Sequence, residues 1–208
     1  MSEKIKYLIE GPKNPKQTII LAHGAGAPMD SDWMNSVAAY LAEADIRTAR
    51  FEFPYMVERR ETGKKRPPNP QKVLLGTWSQ AVADWNCENK LFLSGKSIGG
   101  RMASLMADNA KGVAGVICFG FPFHALGKPT NNRIDHLKTL KTKTLIIQGT
   151  RDTMGTQEEV AEYELSEAVQ LHWLEDGDHS FKPRKKSGFT QEQHIESACQ
   201  AAIKFMRG

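Results

Sequence analysis

Within the run "LFLSGKSIGGRMASLM", residues 91 to 106, one residue is placed to do chemistry. Ser97 sits in Gly95-Lys96-Ser97-Ile98-Gly99, a G-x-S-x-G pattern at the junction of an apolar run and a helical repeat. Glycines on both sides let the backbone turn sharply enough to strain and expose the serine, the arrangement called a nucleophile elbow. A serine hydroxyl is a poor nucleophile near neutral pH, so it needs a base, and the base needs an orienting acid. The chain has six histidines. His23 ends an apolar run, His172 lies inside another, His194 belongs to the terminal helical repeat, and His136 has no strand end beside it. His124, in "FGFPFHALGK", follows the strand after the elbow and is placed to line a substrate pocket. His179, in "EDGDHSF", follows the last apolar run, where a loop can lay its imidazole across the sheet edge towards Ser97. For the acid, "LIIQGTRD" places Asp152 directly beyond a strand. Asp178 adjoins His179, and consecutive side chains diverge, so Asp178 reads as a turn-former. The order Ser97, Asp152, His179 follows. The oxyanion of a tetrahedral intermediate would fall to backbone N–H groups. The glycine loop "LAHGAGAP" and the residue after the nucleophile nominate the amides of Ala25 and Ile98. A dinucleotide loop needs G-x-G-x-x-G, and Gly24-Ala25-Gly26 is followed by Ala27, Pro28 and Met29.

These residues need elements to carry them. Apolar, β-branched runs alternate with helical repeats, which is the pattern of a mostly parallel sheet covered by helices on both faces. Strands are expected at 6–10, 18–22, 47–53, 90–95, 114–120, 143–149 and 169–175, and helices at 31–44, 100–110, 156–168 and 190–206. The expectation is a single doubly wound α/β domain over residues 1–208, with no internal repeat and no Gly/Ser linker. The segment "PYMVERRETGKKRPPNPQ", 54–71, does not fit and reads as a long, basic, proline-rich loop at the active-site edge.

The bulk numbers bound the alternatives. The chain has 208 residues, 40% hydrophobic and 25% charged, with a net charge of +4 and a mean hydropathy of −0.47. It is long enough for one well-buried domain, and its charge is too small to make the whole molecule a nucleic-acid surface. The segment "MSEKIKYLIEG" contains no apolar h-region and no run approaches the length of a spanning helix, so neither export nor a membrane is expected and the cytoplasm is the expected compartment. Cys87, Cys118 and Cys199 are widely spaced, odd in number and form no CxxC, which fits a reducing compartment and buried or incidental thiols. Neither a metal nor an organic cofactor is required.

The motifs "LAHGAGAPMDSDWM", "FEFPY", "GKSIGGRMAS", "GFPFHALGKP", "QGTRDTMG" and "GDHSF" occur in order over nearly the whole length. On them the chain resembles the compact α/β hydrolases of the dienelactone-hydrolase-like group. Within that group it is most similar to the branch of the testis-expressed-protein-thirty-like proteins and the related subunit of the NSL histone acetyltransferase complex. The resemblance implies the α/β-hydrolase fold without a separate cap domain, and Ser97, Asp152 and His179 as the triad. Dienelactone hydrolases proper use a cysteine nucleophile, so their substrate does not carry over to a chain with serine at 97.

The expected function is a serine hydrolase cleaving an ester or thioester of a small carboxylic acid through an acyl-enzyme. The rival is a hydrolase-fold interaction module with a protein partner and little or no turnover; the intact triad and glycine loop favour the enzyme. In the 54–71 segment, Arg59, Arg60, Lys64, Lys65 and Arg66 outnumber Glu58 and Glu61, and Lys182, Arg184, Lys185 and Lys186 follow His179. Both segments leave the same sheet edge. An anionic substrate held by Arg59, Arg60 and Arg66 is the functional expectation, against a merely solvated basic surface.

Overall fold

All seven runs expected as strands pair into one sheet in the computed structural model, which describes residues 4–85 and 89–208. The strands are β1 (Tyr7–Glu10), β2 (Gln17–Ala22), β3 (Arg47–Phe51), β4 (Lys90–Lys96), β5 (Val113–Phe119), β8 (Thr144–Gly149) and β9 (Val169–Leu174), in the order β1-β3-β2-β4-β5-β8-β9. A two-stranded hairpin, β6 (His124–Ala125) and β7 (Lys128–Asn132), stands apart from them. Only β1 runs antiparallel, against β3; every other pairing in the sheet is parallel.

Strand residues alternate between two faces, and the core divides accordingly. Ile20, Ala22, Leu91, Leu93, Val116, Cys118 and Ile146 bury into one apolar cluster, while Ile19, Leu21, Phe92, Ile117, Phe119, Leu145 and Ile147 bury into the other. The first cluster is covered by α3 (Gln71–Asp84), through Leu74 and Trp78, and by α4 (Ile98–Met106), through Met102 and Ala103. The second is covered by α1 (Asp32–Glu43), through Met34, Val37 and Leu41, and by α6 (Gln191–Arg207), through Ile195, Ala198, Cys199, Ala202 and Met206. Such continuous burial on both sides is what a parallel sheet requires. No helix among the described residues is long and apolar enough to cross a membrane.

Three expectations need correction. The 54–71 segment is not a loop throughout: residues 54–62 form a helix, α2 (Pro54–Thr62), and α3 already begins at Gln71. Pro54 stands at the first helical turn, where a missing N–H is harmless, and Gly63 closes the helix with a left-handed φ of 67°. Tyr55 and Met56 then anchor it in the core. The helix expected at 156–168 is a short one, α5 (Gln157–Ala161), because beyond it Ser166 is bonded to the backbone of Leu137 and Leu140. The third is α3, for which the pattern reading offered no element. Cys118 and Cys199 are buried free thiols, and burial pushes both up in pKa, Cys199 to about 12. Cys87 lies outside the described residues.

Candidate active site

Ser97 joins β4 directly to α4 and holds φ 53°, ψ −118°, a conformation a residue with a side chain adopts only under constraint. The constraint is visible on both sides. Its N–H donates to Phe119 O at 3.0 Å, and the N–H of Arg101 donates to its carbonyl at 3.0 Å. Gly99 makes the turn sterically feasible, since a Cβ there would stand 2.7 Å from the carbonyl oxygens of both Ala22 and His23. The elbow thus presses α4 against the end of β2, where the glycine loop begins.

The Ser97 hydroxyl donates to His179 Nε2 at 2.8 Å, and His179 Nδ1–H donates to Asp152 Oδ2 at 2.7 Å. Asp152 is fully buried, whereas the His179 side chain keeps 27% of its surface exposed, so the outer end of this hydrogen-bonded chain can meet a ligand while its inner end is dry. Asp152 sits on the turn after β8. Its Oδ1 accepts from Met154 N at 2.9 Å and its Oδ2 from the buried amide of Gln148 at 2.8 Å. Gln148 in turn accepts from Phe121 N at 2.7 Å, which locks the side chain that orients the acid. Asp178 takes the turn role expected of it: Oδ1 accepts from Ser180 N at 2.8 Å and Lys182 N at 2.9 Å.

Lys96, the residue before the nucleophile, has a part the sequence reading missed. Its ammonium donates to the carbonyl of His179 and lies 5.6 Å and 5.5 Å from the ring centres of Trp33 and Phe181. Burial depresses its pKa to about 8, against the opposing pull of the Asp152 and Asp178 carboxylates. Gly120, with φ 67°, makes room: a Cβ there would stand 2.7 Å from Lys96 Nζ and 2.8 Å from His179 O. One residue of the elbow supplies the hydroxyl, and its neighbour tethers the histidine loop.

The glycine loop abuts the nucleophile, since a Cβ on Gly24 would lie 3.7 Å from Ser97 Cβ. Among the described residues neither Ala25 N–H nor Ile98 N–H has a hydrogen-bond partner; Ile98 is the first residue of α4, whose opening amides have no acceptor within the helix. The buried His23 sets the loop. Its Nδ1–H donates to Gly24 O at 2.6 Å, and its Nε2 accepts from Phe53 N at 3.1 Å. That pair of bonds needs a neutral ring, and burial lowers the His23 pKa accordingly. Tyr55 Oη–H adds a second donor to Gly24 O at 3.1 Å. Position alone hinted at this role, since His23 immediately precedes the glycines.

The residues nominated for substrate binding are placed otherwise than expected. His124 is buried, and both ring nitrogens have partners outside the triad, Ala125 O at 2.9 Å and Glu159 at 3.5 Å, so it ties the hairpin to α5. Arg60 grips Glu52 at 2.7 Å and also Asp30, and Arg66 pairs with Glu58 at 2.6 Å. Arg59 donates to Gly26 O at 2.9 Å. Arg59 and Arg60 therefore brace the glycine loop and its continuation. No cluster of three or more metal-ligating side chains occurs among the described residues.

Residues 15–207 match the model of a family described as "Alpha/beta hydrolase domain". Solved structures share the architecture across the whole chain. A dienelactone hydrolase from Anabaena variabilis is 22% identical, with a TM-score of 0.73 over 99% of this chain and 92% of that one. Est1E from Butyrivibrio proteoclasticus is 15% identical, with a TM-score of 0.70 over 98% and 99% of the two chains. XC6422 from Xanthomonas campestris, described as a serine hydrolase without a lid, is 17% identical, with a TM-score of 0.67 over 98% and 95%. At these identities the likeness is one of fold.

Proposed function

The chain belongs to the alpha/beta hydrolase domain family, and from that premise we propose that it is a cytoplasmic serine hydrolase that cleaves an ester or thioester of a small carboxylic acid through an acyl-enzyme. The observation that carries the reading is the unbroken chain from Ser97 Oγ through His179 to Asp152, at 2.8 Å and 2.7 Å. Within the family we place the protein in the testis-expressed-protein-thirty-like branch, on the motifs around Ser97, Asp152 and His179.

In this mechanism His179 Nε2 takes the hydroxyl proton as Ser97 Oγ bonds to the substrate carbonyl carbon. The carbonyl oxygen becomes an oxyanion and receives hydrogen bonds from Ala25 N–H and Ile98 N–H, which are free to donate. Asp152 stays ionised; held by Gln148 and Met154 N, it keeps the proton of the neutral imidazole on Nδ1 and stabilises the imidazolium that forms. Collapse breaks the bond to the alcohol or thiol, which leaves with the proton from His179. Water then attacks the acyl-serine with His179 again as base, and the carboxylic acid and free Ser97 are released.

A fluorophosphonate probe tests the proposal. Labelling is expected at Ser97 alone, absent in Ser97→Ala and strongly reduced in His179→Ala. A folded wild-type protein that never labels would leave the triad without a nucleophile and sink the reading.

A further inference from the structure

Of the arginines in the chain, eight direct their guanidinium to an acceptor among the described residues: Arg50, Arg60, Arg66, Arg151 and Arg184 to carboxylates, and Arg47, Arg59 and Arg207 to backbone carbonyls. Arg101 and Arg133 are the two whose guanidinium has none among the described residues. They are also neighbours. The charge of Arg133 and, ahead of it, burial both lower the pKa of Arg101, and Arg101 Nε is fully buried with no hydrogen-bond partner. Two half-buried cations held together without an acceptor are unfavourable on each count: like charges repel, and a desolvated donor without a partner loses its hydrogen bond to water.

Their place in the fold is close to the nucleophile. Arg101 lies one helical turn beyond Ser97, its N–H bonded to the Ser97 carbonyl. Residues four apart share a helix face, and helical side chains lean towards the N-terminus, so the Arg101 stem leaves α4 on the Ser97 side. Arg133 follows the β6–β7 hairpin, with its N–H bonded to Phe123 O at 2.7 Å, and so enters from beyond the end of β5, the strand whose Phe119 carbonyl holds Ser97 N. The short helical turn after it packs on α4 through His136, whose ring meets Ser104 Oγ at 2.9 Å. Among the described residues the acids beside His136 do not pair with them: Asp108 accepts from the amides of Lys141 and Thr142, and Asp135 is exposed.

We infer that Arg101 and Arg133 form the subsite for a carboxylate at the far end of the substrate's acyl group, making the substrate a monoester or monothioester of a short dicarboxylic acid. The inference rests on the serine-hydrolase reading above. A carboxylate fits the planar fork of a guanidinium, accepts from the buried Nε, and offsets the repulsion between the two cations. The spacing suits a short acyl chain, because Ser97 and Arg101 are about 6 Å apart along the helix axis at 1.5 Å per residue. Arg59, Arg60 and Arg66, by contrast, each already direct a guanidinium N–H to an acceptor, among Gly26, Glu52, Asp30 and Glu58.

The test compares 4-nitrophenyl hemiglutarate with 4-nitrophenyl butyrate, an ester with the same leaving group and no acyl carboxylate. Wild-type kcat/KM is expected to favour the hemiester by about ten- to a hundredfold, the range of one or two hydrogen bonds to a charged group. In Arg101→Met and in Arg133→Gln that ratio should fall to near one. Arg133 lies on a loop, so its variant serves if replacing the more buried Arg101 prevents folding, which circular dichroism would reveal. Equal kcat/KM for the two esters in the wild type, or a ratio unchanged in a folded variant, overturns the subsite while leaving the triad reading standing. Failure to hydrolyse either ester, together with failure to label at Ser97, overturns the triad reading and the subsite with it.

Discussion

Replacing Lys96 by Met separates what this lysine does for stability from what it does for His179. A group whose pKa is lowered by folding contributes stability that is complete above its unfolded pKa and is lost as pH falls through its folded pKa. For Lys96 the window runs from 10.5 down to about 8. At about 1.4 kcal/mol per pH unit, keeping the charged lysine buried costs about 3 kcal/mol at pH 7. Met has no charge and a similar shape, so it escapes that penalty, but it leaves the His179 carbonyl without its donor, a loss of about 1–2 kcal/mol. The variant is therefore expected to be more stable than wild type at pH 7 by about 1–2 kcal/mol, or about 3–6 °C in Tm for a chain of this size. Above pH 10.5 the order should reverse, because the wild-type lysine is then neutral and keeps its hydrogen bond. Meanwhile kcat for an activated ester at pH 7 should fall by about tenfold or more, since a small displacement of the base disrupts proton transfer. Thermal melts of both proteins from pH 7 to about 11.5, past the ordinary lysine pKa, with kinetics at pH 7, decide it. A difference in Tm that does not change with pH, or a variant less stable than wild type by more than about 2 kcal/mol at pH 7, would refute the reasoning.

Asp152→Asn should lower kcat by about 10⁴, the loss known for a triad acid, whereas Asp178→Asn should retain most activity because Asp178 only shapes its turn; similar kcat in the two variants would show that the acid is misassigned. Gly99→Ala should destabilise by about 1–3 kcal/mol, the usual penalty of overpacking, because its Cβ would push α4 off the ends of the Ala22 and His23 peptides. Gly76→Ala, on the open face of α3 with nothing within 4 Å of the new Cβ, should instead stabilise by about 0.5–1 kcal/mol, and urea melts of both variants check the contrast. Burial and then the charge of Arg101 lower His136 to about 4, so its contribution is complete above 6.5 and disappears as pH falls through about 4. His136→Gln should therefore lose about 3 kcal/mol less than wild type between pH 7 and pH 3.5; parallel losses in urea melts at the two pH values would rule this out.

Much of this protein was legible in its residues alone. Seven runs rich in apolar and β-branched residues became the seven strands of the sheet; β2, β4, β5 and β8, buried nearly throughout, read as near-continuous apolar runs because both of their faces are covered. Ser97, Asp152 and His179 were nominated because each follows a strand, and in a parallel sheet those ends share one edge; the fold brings the three within hydrogen-bond distance. Charge and helix ends were read less well. Pro54 and Gly63 are sound helix boundaries, yet the basic residues between them and the prolines that follow masked α2, since its stability comes from burying Tyr55 and Met56 and not from its own periodicity. What the tertiary structure alone decided is pairing at long range. Arg60 found Glu52 and Asp30, Lys96 found the carbonyl of His179, and Gln148 found Asp152. The same packing left Arg101 beside Arg133 with no acceptor for either guanidinium among the described residues. A sequence gives the sign of each charge, but the energy of a charge depends on its burial and on what stands within a few ångströms of it, and both are properties of the folded chain.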